Sequence, residues 1–204
     1  MMRLFWSSRS PFVRKVMVVA HEADFVGRLE LERVAVGAAT LSEEVMRYNP
    51  LNKIPALVLD DGTTLFDSRV IAEFIDGQTG SGLFPADFRG RVAALRWQAL
   101  ADGIMENATL TLGERKRQAT AFSPRHVECY RLKTKLALDL LETEVDELAA
   151  SGMHIGSIAI AVALSHLDFR FDDEQWRQGR RKLAALHADF AARPSMIATA
   201  FEDV

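Results

Sequence analysis

The alternation of hydrophobic and polar residues predicts that strands and helices are mixed in the first part of the chain. A helical pattern begins at Ser10-Pro11, where serine suits the N-cap and proline the first helical position. Asp61-Gly62 is a strong hairpin-turn signal between two short strand patterns. The elements expected, in chain order, are a strand over 3–6, a helix from 11, a strand over 29–36, a short helix over 42–48, strands over 56–59 and 63–66, and a helix capped by Ser68 with Val70, Ile71, Phe74 and Ile75 facing inward.

Helical periodicity dominates the second part of the chain. We therefore predict an α/β domain over 1–79, a Gly- and Pro-containing linker over 80–87 and an all-helical domain over 88–204. The expected helices are 88–115, 124–150, 157–167 and 175–192, the third being apolar on nearly all sides as a central buried helix should be. In the second helix, leucines recur at helical spacing, at Leu132, Leu136, Leu140 and Leu141.

Composition and charge exclude several classes of protein. Apolar residues make up 49% of the 204 residues and charged residues 26%, as in ordinary globular proteins. The net charge of -3 gives no reason to expect a nucleic acid or an anionic membrane as partner, and we interpret the basic run 115–117 as a solvated face. The longest apolar stretch, 158–164, is too short to span a membrane, and the N-terminus does not resemble a signal peptide. A soluble, cytoplasmic protein is expected.

The single cysteine and the five histidines show no sign of a metal site. Cys129 stands alone, so no intramolecular disulfide can form, and its helical surroundings favour a buried small residue over a reactive thiol. The histidines have no metal-ligand spacing with one another or with Cys129. This lack of ligand spacing means that no metal is expected. No phosphate loop or nucleophile elbow is present either.

Ser10 is the first candidate functional residue. A helix N-terminus presents unpaired N–H groups and partial positive charge, which stabilise an anion such as a thiolate. A thiol of pKa about 8.5 is shifted toward neutrality in such a field, and a serine hydroxyl can donate a hydrogen bond to it. Taken alone, however, the segment 10–15 is explained more simply by a serine that only caps its helix.

Two further segments could hold the rest of a peptide ligand. If the Ile54–Pro55 bond is cis, the backbone of Ile54 turns outward and can pair with a bound peptide; an ordinary edge proline is the alternative. Asp67 could attract an ammonium group, while Ser68 at a helix N-terminus suits a carboxylate. A simple helix start explains Asp67-Ser68 equally well.

Together these segments resemble the cytosolic glutathione transferases. The pattern is Ser-Pro-Phe-x-Arg-Lys from Ser10, then Asn-Pro-x-x-Lys-Ile-Pro-x-Leu from Asn49, then Asp67-Ser68, all followed by a helical half. More narrowly it resembles the bacterial branch with serine before the proline, related to the tau, zeta and beta-like classes. The resemblance covers essentially the whole chain, including the segments 167–170 and 191–195. It implies a thioredoxin-like N-terminal domain, a C-terminal helical bundle and a homodimer.

The resemblance also implies roles for individual residues. Ser10 corresponds to the serine that stabilises the glutathione thiolate, although Ser8 is an alternative. The residues implied to bind the remainder of glutathione are Ile54 and Pro55 at the cysteinyl part, Asp67 and Ser68 at the γ-glutamyl end, and Lys53 near the glycyl carboxylate. One departure concerns the buried helix, where members of the family commonly show Ser/Thr-x-x-Asp. Here Ser157 is followed three residues later by Ile160, so the capping acid is missing.

The expected activity is therefore a glutathione transferase, with glutathione as co-substrate and no metal. Its thiolate would attack a small, mostly apolar electrophile in an apolar cleft between the domains, with Phe12 and Met105 as candidate lining residues. A core role for Met105 is an equally good interpretation. Two alternatives remain: a non-catalytic binding or interaction module, and a glutathione-dependent peroxidase or isomerase. Thiol-disulfide reduction is disfavoured, because position 10 holds serine rather than cysteine.

Overall fold

The computed structural model describes residues 1–203. It divides the chain into two compact units, one made of Met1–Ala86 with the chain from Pro194 onward, the other of Asp87–Arg193. The sequence prediction assigns everything after residue 88 to the helical domain. In the structure, by contrast, the chain from Pro194 onward groups with the first unit, because its contacts are made there.

The first unit is thioredoxin-like. Its elements are β1 (Met2–Trp6), α1 (Pro11–Glu22), β2 (Leu29–Arg33), α2 (Glu43–Tyr48), β3 (Ala56–Val58), β4 (Thr64–Leu65), α3 (Ser68–Thr79) and α8 (Pro194–Ala198). Within the described residues its sheet has the strand order β2-β1-β3-β4, with β1 parallel to β2 and antiparallel to β3, and β3 antiparallel to β4. The helices α1 and α3 pack against each other, and α8 packs on α1.

The second unit is helical, as predicted. Its helices are α4 (Phe88–Arg115), α5 (Pro124–Ala150), α6 (Ile155–Phe171) and α7 (Arg181–Ala191). The helix α4 packs on both α5 and α6, and α7 packs on α5 and α6. Every residue of α6 from Ile155 to Leu164 is buried, which confirms the central helix expected from its apolar sequence.

The start of α6 corrects the expectation about its cap. The helix begins at Ile155, so Ser157 lies inside its first turn and the N-cap is His154. The imidazole Nδ1 of His154 accepts hydrogen bonds from the backbone N–H of Gly156 and Ser157 at 3.1 and 3.2 Å. The Ser157 hydroxyl lies 2.9 Å from the His154 backbone nitrogen, which completes a capping box. The third residue after the N-cap, where members of the family commonly carry an acid, is therefore Ser157 and not Ile160.

Other expectations about the helical unit were wrong. Cys129 is exposed rather than buried. The helix predicted from the leucine spacing is present, although the leucines differ in exposure: Leu132 and Leu136 of α5 are each 57% exposed, whereas Leu141 is fully buried. The last long helix begins at Arg181, because the preceding segment forms a short 3-10 turn followed by left-handed backbone at Gln175 and Gly179.

No helix in the part of the chain that the structure describes is both long enough and apolar enough to cross a membrane.

Candidate functional site

Ser10 sits at the junction between β1 and α1. The strand ends at Trp6, and a turn follows in which the Ser10 N–H donates to the Ser7 carbonyl at 3.2 Å. Ser10 is the N-cap of α1, and its Oγ accepts a hydrogen bond from the Val13 N–H at 3.3 Å. A hydroxyl that accepts in this way retains its own O–H for donation. The geometry therefore leaves Ser10 able to donate to an anion at the positive end of α1.

Ser8, the alternative serine, has a different environment. Its hydroxyl donates to the backbone carbonyl of Glu202 at 3.0 Å, so it joins the end of the chain to the loop before α1. This donation uses the one proton that Ser8 could offer to a sulfur. The arrangement favours Ser10 over Ser8 as the donor to a ligand.

The loop before β3 is held by two asparagines. The buried side chain of Asn49 donates to the Lys53 carbonyl at 2.9 Å and accepts from the Leu51 N–H at 3.1 Å. Asn52 has a positive φ of 53° and donates from its amide to the Thr40 carbonyl at 2.9 Å. These bonds close the loop onto itself and onto the segment before α2, so the backbone leading into β3 has a defined conformation.

Ile54 and Pro55 follow this loop directly. The Ile54–Pro55 peptide bond is cis. The Ile54 side chain packs against a hydrophobic cluster that includes Phe5 of β1 and Val45 of α2. Its side chain is thus anchored in the unit, while the side chain of Lys53 is exposed.

The start of α3 differs from the sequence prediction in one detail. Asp67, not Ser68, is the N-cap, and its Oδ1 accepts from the Arg69 N–H at 2.9 Å. Ser68 is the first helical residue and is buried. Asp67 is exposed, so its carboxylate is accessible to a cationic group such as an ammonium. Val70, expected to face inward, is also exposed.

The register of the sheet brings these three segments to one edge. Phe5, next to the end of β1, pairs with Ala56 at the start of β3. Leu65 at the end of β4 pairs with Leu57, so β4 also ends at the edge where β3 begins. The loop carrying Ser10, the Ile54–Pro55 segment and the cap of α3 therefore all emerge from the same edge of the sheet.

The two candidate substrate-pocket residues have different surroundings. Phe12, in the first turn of α1, is half-buried. Met105 is fully buried in α4, and this burial favours the core role that the sequence left open. Among the described residues, no group of three or more His, Cys, Asp or Glu side chains could hold a metal ion.

Arg14 is a residue whose contacts the sequence did not reveal. It lies in α1 and is buried, and burial lowers the pKa of its guanidinium to about 10. Its Nη2 donates to the Met196 carbonyl at 3.0 Å, and its guanidinium lies 4.4 Å from the centre of the Phe201 ring. The motif around Ser10 contains Arg14, but nothing local in the sequence indicates that its partners lie at the end of the chain.

Comparison with known proteins identifies the family. A model of the glutathione S-transferase N-terminal domain matches residues 9–78. The uncharacterized GST-like protein YibF of Escherichia coli strain K12 is 31% identical over 205 residues, which cover 97% of this chain and 98% of YibF. The chain therefore belongs to the glutathione S-transferase family.

Two similar solved structures contain glutathione or a derivative of glutathione. The crystal structure of a glutathione transferase family member from Pseudomonas fluorescens Pf-5 with bound glutathione is 40% identical, with a TM-score of 0.96, and the match covers 99% of this chain and 100% of that one. A second structure from Pseudomonas fluorescens Pf-5, with bound S-(propanoic acid)-glutathione, is 40% identical with a TM-score of 0.90 and covers 98% of each chain.

Proposed function

We propose that the protein is a glutathione transferase of the serine type, in which Ser10 stabilises the thiolate of bound glutathione. The observation that carries this proposal is the convergence of the Ser10 cap, the Ile54–Pro55 segment and the Asp67 cap at one sheet edge. Each segment alone has a simple structural explanation. Their convergence supports a site for one extended ligand with a thiol in the middle and an amino-acid group at one end.

Each part of glutathione has a complementary group at this edge. Asp67 attracts the γ-glutamyl ammonium, and the N-terminus of α3 at Ser68 stabilises the neighbouring carboxylate. The backbone of Ile54 pairs with the cysteinyl part, while the exposed Lys53 suits the glycyl carboxylate. The sulfur then lies over the first turn of α1.

The chemistry follows from the sulfur's position. The thiol releases its proton to water because the positive end of α1 and the Ser10 hydroxyl stabilise the anion. The thiolate's lone pair forms a carbon–sulfur bond with a small apolar electrophile. In a substitution the leaving group departs with the electron pair of its broken bond; in an addition the π-electron pair moves to the neighbouring atom, which takes a proton from water. Ser10 forms no covalent bond. The relative bound to S-(propanoic acid)-glutathione supports the inference that an S-substituted glutathione can be held by this fold.

Isothermal titration with glutathione tests the proposal. We expect binding with a dissociation constant well below millimolar concentration, together with turnover of model electrophiles such as chlorodinitrobenzene. Absence of binding at millimolar glutathione would instead favour a non-catalytic binding module. Binding with turnover of hydroperoxides, but not of electrophiles that form conjugates, would favour a peroxidase.

We also propose that the protein is a homodimer. Phe88, Val92 and Leu95 form an exposed apolar face at helical spacing on α4, and a second copy of the chain could cover it. Sedimentation equilibrium should show a dimer for the unmodified protein and a monomer for Val92→Asp. The control Leu132→Asp, on the outer face of α5, should remain dimeric. A dimeric Val92→Asp variant would exclude this face as the contact.

A further inference from the structure

Positive charge is concentrated around the turn that joins α4 to α5. The segment 115–135 holds seven of the chain's 25 Lys and Arg residues and one of its 28 Asp and Glu residues, which gives this segment a net charge of +6. The rest of the chain therefore carries a net charge of -9. Because the overall charge of -3 averages over this separation, it does not describe what this part of the helical unit attracts.

A buried carboxylate holds the turn in place. Glu114, near the end of α4, accepts a hydrogen bond from the Ser123 N–H at 3.2 Å and pairs with Arg117 at 3.0 Å. These bonds close the turn 116–123 onto α4. Phe122, within this turn, is 40% exposed. The exposed side chains of the turn are therefore presented from a defined backbone.

Three basic side chains in and after this turn have no carboxylate partner. In the part of the chain that the structure describes, Lys116, Arg125 and Lys133 form no ion pair, and Lys133 lies 5.8 Å from the centre of the Tyr130 ring. The one acid of the segment, Glu128, is exposed. The remaining cations of the segment are paired, Arg115 and Arg131 with Glu174, Arg117 with Glu114 and Lys135 with Asp139. Part of the positive charge of this segment is thus not neutralised within the protein.

Leucines face solvent on the outer side of α5. Leu132 and Leu136 are each 57% exposed and Leu140 is 39% exposed. Their spacing of four residues places them on one face of the helix. Thr134 and Leu138, which are buried, lie on the opposite face. The outer face of α5 therefore presents a row of apolar side chains to solvent.

The leucines and the unpaired cations share one side of α5. Arg125 lies seven residues, or about two helical turns, before Leu132, and Lys133 lies three residues before Leu136. A nucleic acid would pair with the cations but leave the leucines in water. An anionic membrane provides both contacts, because its headgroups are negatively charged and its acyl boundary takes up apolar side chains.

We propose that the outer face of the first half of α5, together with the turn before it, binds the surface of an anionic membrane. Lys116, Arg125 and Lys133 contact lipid phosphates, while Phe122 and Leu132 insert between the headgroups. The helix lies along the membrane and does not cross it. This inference is independent of the proposed function, since none of these residues belongs to the glutathione site.

Sedimentation of the protein with lipid vesicles tests the proposal. Vesicles of phosphatidylcholine alone are compared with vesicles of equal amounts of phosphatidylcholine and phosphatidylglycerol, at low and at high salt. The variants are Arg125→Gln, Lys133→Gln and Leu132→Gln. The controls Arg28→Gln and Ile197→Gln remove an exposed cation and an exposed apolar side chain from other parts of the chain.

We expect the unmodified protein to sediment with the anionic vesicles at low salt, and to stay in solution at high salt or with phosphatidylcholine alone. Arg125→Gln and Lys133→Gln should each lower the partition coefficient about fivefold, the usual contribution of one basic residue near an anionic surface. Leu132→Gln should lower it about tenfold, as for loss of one buried leucine side chain. Both controls should match the unmodified protein.

Three results would overturn the proposal. The first is that the unmodified protein does not sediment with the anionic vesicles at low salt. The second is that the partition coefficients of the three variants stay within twofold of the controls, because a different surface would then bind the lipid. The third is that a short DNA duplex binds in place of vesicles, with affinity that falls in Arg125→Gln and Lys133→Gln but not in Leu132→Gln, which would assign the cations to a nucleic acid.

Discussion

At the scale of single residues, Asp67 combines two tasks that substitutions can separate. Its carboxylate caps α3 and, in the proposed site, attracts the ammonium group of glutathione. Asp67→Asn keeps a capping oxygen and removes the charge. We expect glutathione affinity to fall about tenfold or more, as for loss of a charged hydrogen bond, with little change in the free energy of unfolding.

Asp67→Ala removes both contributions. It should weaken glutathione binding similarly and also destabilise the fold by about 1 kcal/mol, the usual effect of losing an N-cap. Calorimetry and urea denaturation of the two variants provide the measurements. Unaltered glutathione affinity in both variants would remove Asp67 from the site.

Because His154 is a buried N-cap, we expect the free energy of unfolding to depend on its protonation. Its Nδ1 accepts two backbone hydrogen bonds and its Nε2 lies 2.8 Å from the Ser151 hydroxyl, with the Trp97 ring stacked at 5.4 Å. Burial lowers the pKa of His154 below its ordinary value. In the unfolded chain the pKa returns to about 6.5. Between these two values the unfolded state binds more protons, so stability rises with pH and is lost as pH falls below about 6.5.

The matched variant is His154→Asn, which keeps a capping oxygen that does not titrate. From pH 7.5 to 5, the free energy of unfolding should fall further in the unmodified protein than in His154→Asn. Parallel pH profiles of the two proteins would show that His154 does not carry this dependence.

Local chemistry decides which caps can be predicted from sequence. Ser10 is recognised because serine before proline is a strong local start signal, and it does cap α1. His154 is not recognised, because an imidazole accepts two N–H groups only when it is held neutral and buried against Trp97. That environment comes from α4, which is distant in sequence. Asp67 and Ser68 are both favoured N-cap residues, so the sequence does not show which one caps α3. The backbone conformation does: Asp67 is extended and Ser68 is the first helical residue.

At the scale of elements, the contact between α4 and α6 depends on a glycine. A Cβ added at Gly156 would lie 2.6 Å from the Ala94 carbonyl oxygen and 2.9 Å from the Trp97 Cβ. The first of these is backbone, so the helices would have to separate. Gly156→Ala should destabilise the protein by about 2 kcal/mol or more, in the range for overpacking.

Gly103, inside α4, is the control. No heavy atom lies within 4 Å of its added Cβ, so Gly103→Ala should stabilise the protein by about 0.5–1 kcal/mol through helix propensity. Thermal and urea denaturation measure both changes. If the two variants shifted stability in the same direction, close packing at Gly156 would not be the reason for that glycine.

The bounds of elements are predictable where capping and periodicity agree. Asp87 caps α4, and Ser123 with Pro124 starts α5, so both helices match their predicted ranges. The leucines of α5 show the limit of such reasoning. Their spacing identifies a helix, yet its buried face runs through Leu138 and Leu141, while Leu132 is exposed. Which face is covered depends on where α4 and α7 pack, and spacing within one helix does not contain that information.

At the scale of the whole molecule, the fold and the candidate site were predictable to different degrees. The order of elements and the family motifs were enough for the thioredoxin-like unit and the helical unit. The sequence prediction places the chain from Pro194 onward in the helical unit, because this segment follows the helices in sequence. Its contacts with Ser8 and Arg14 span more than 180 residues, and no local pattern reports contacts over that separation.

The central claim is that Ser10 stabilises the thiolate of bound glutathione. The most direct measurement is a pH titration of thiolate absorbance for glutathione bound to the unmodified protein and to Ser10→Ala, with Ser8→Ala as control. We expect Ser10→Ala to raise the pKa of the bound thiol by about 1–2 units, the equivalent of one charged hydrogen bond, and to reduce turnover about 10²–10³-fold. Glutathione affinity should be nearly unchanged, and the thiol pKa in Ser8→Ala should match that in the unmodified protein. An unchanged thiol pKa and turnover in Ser10→Ala would contradict the account.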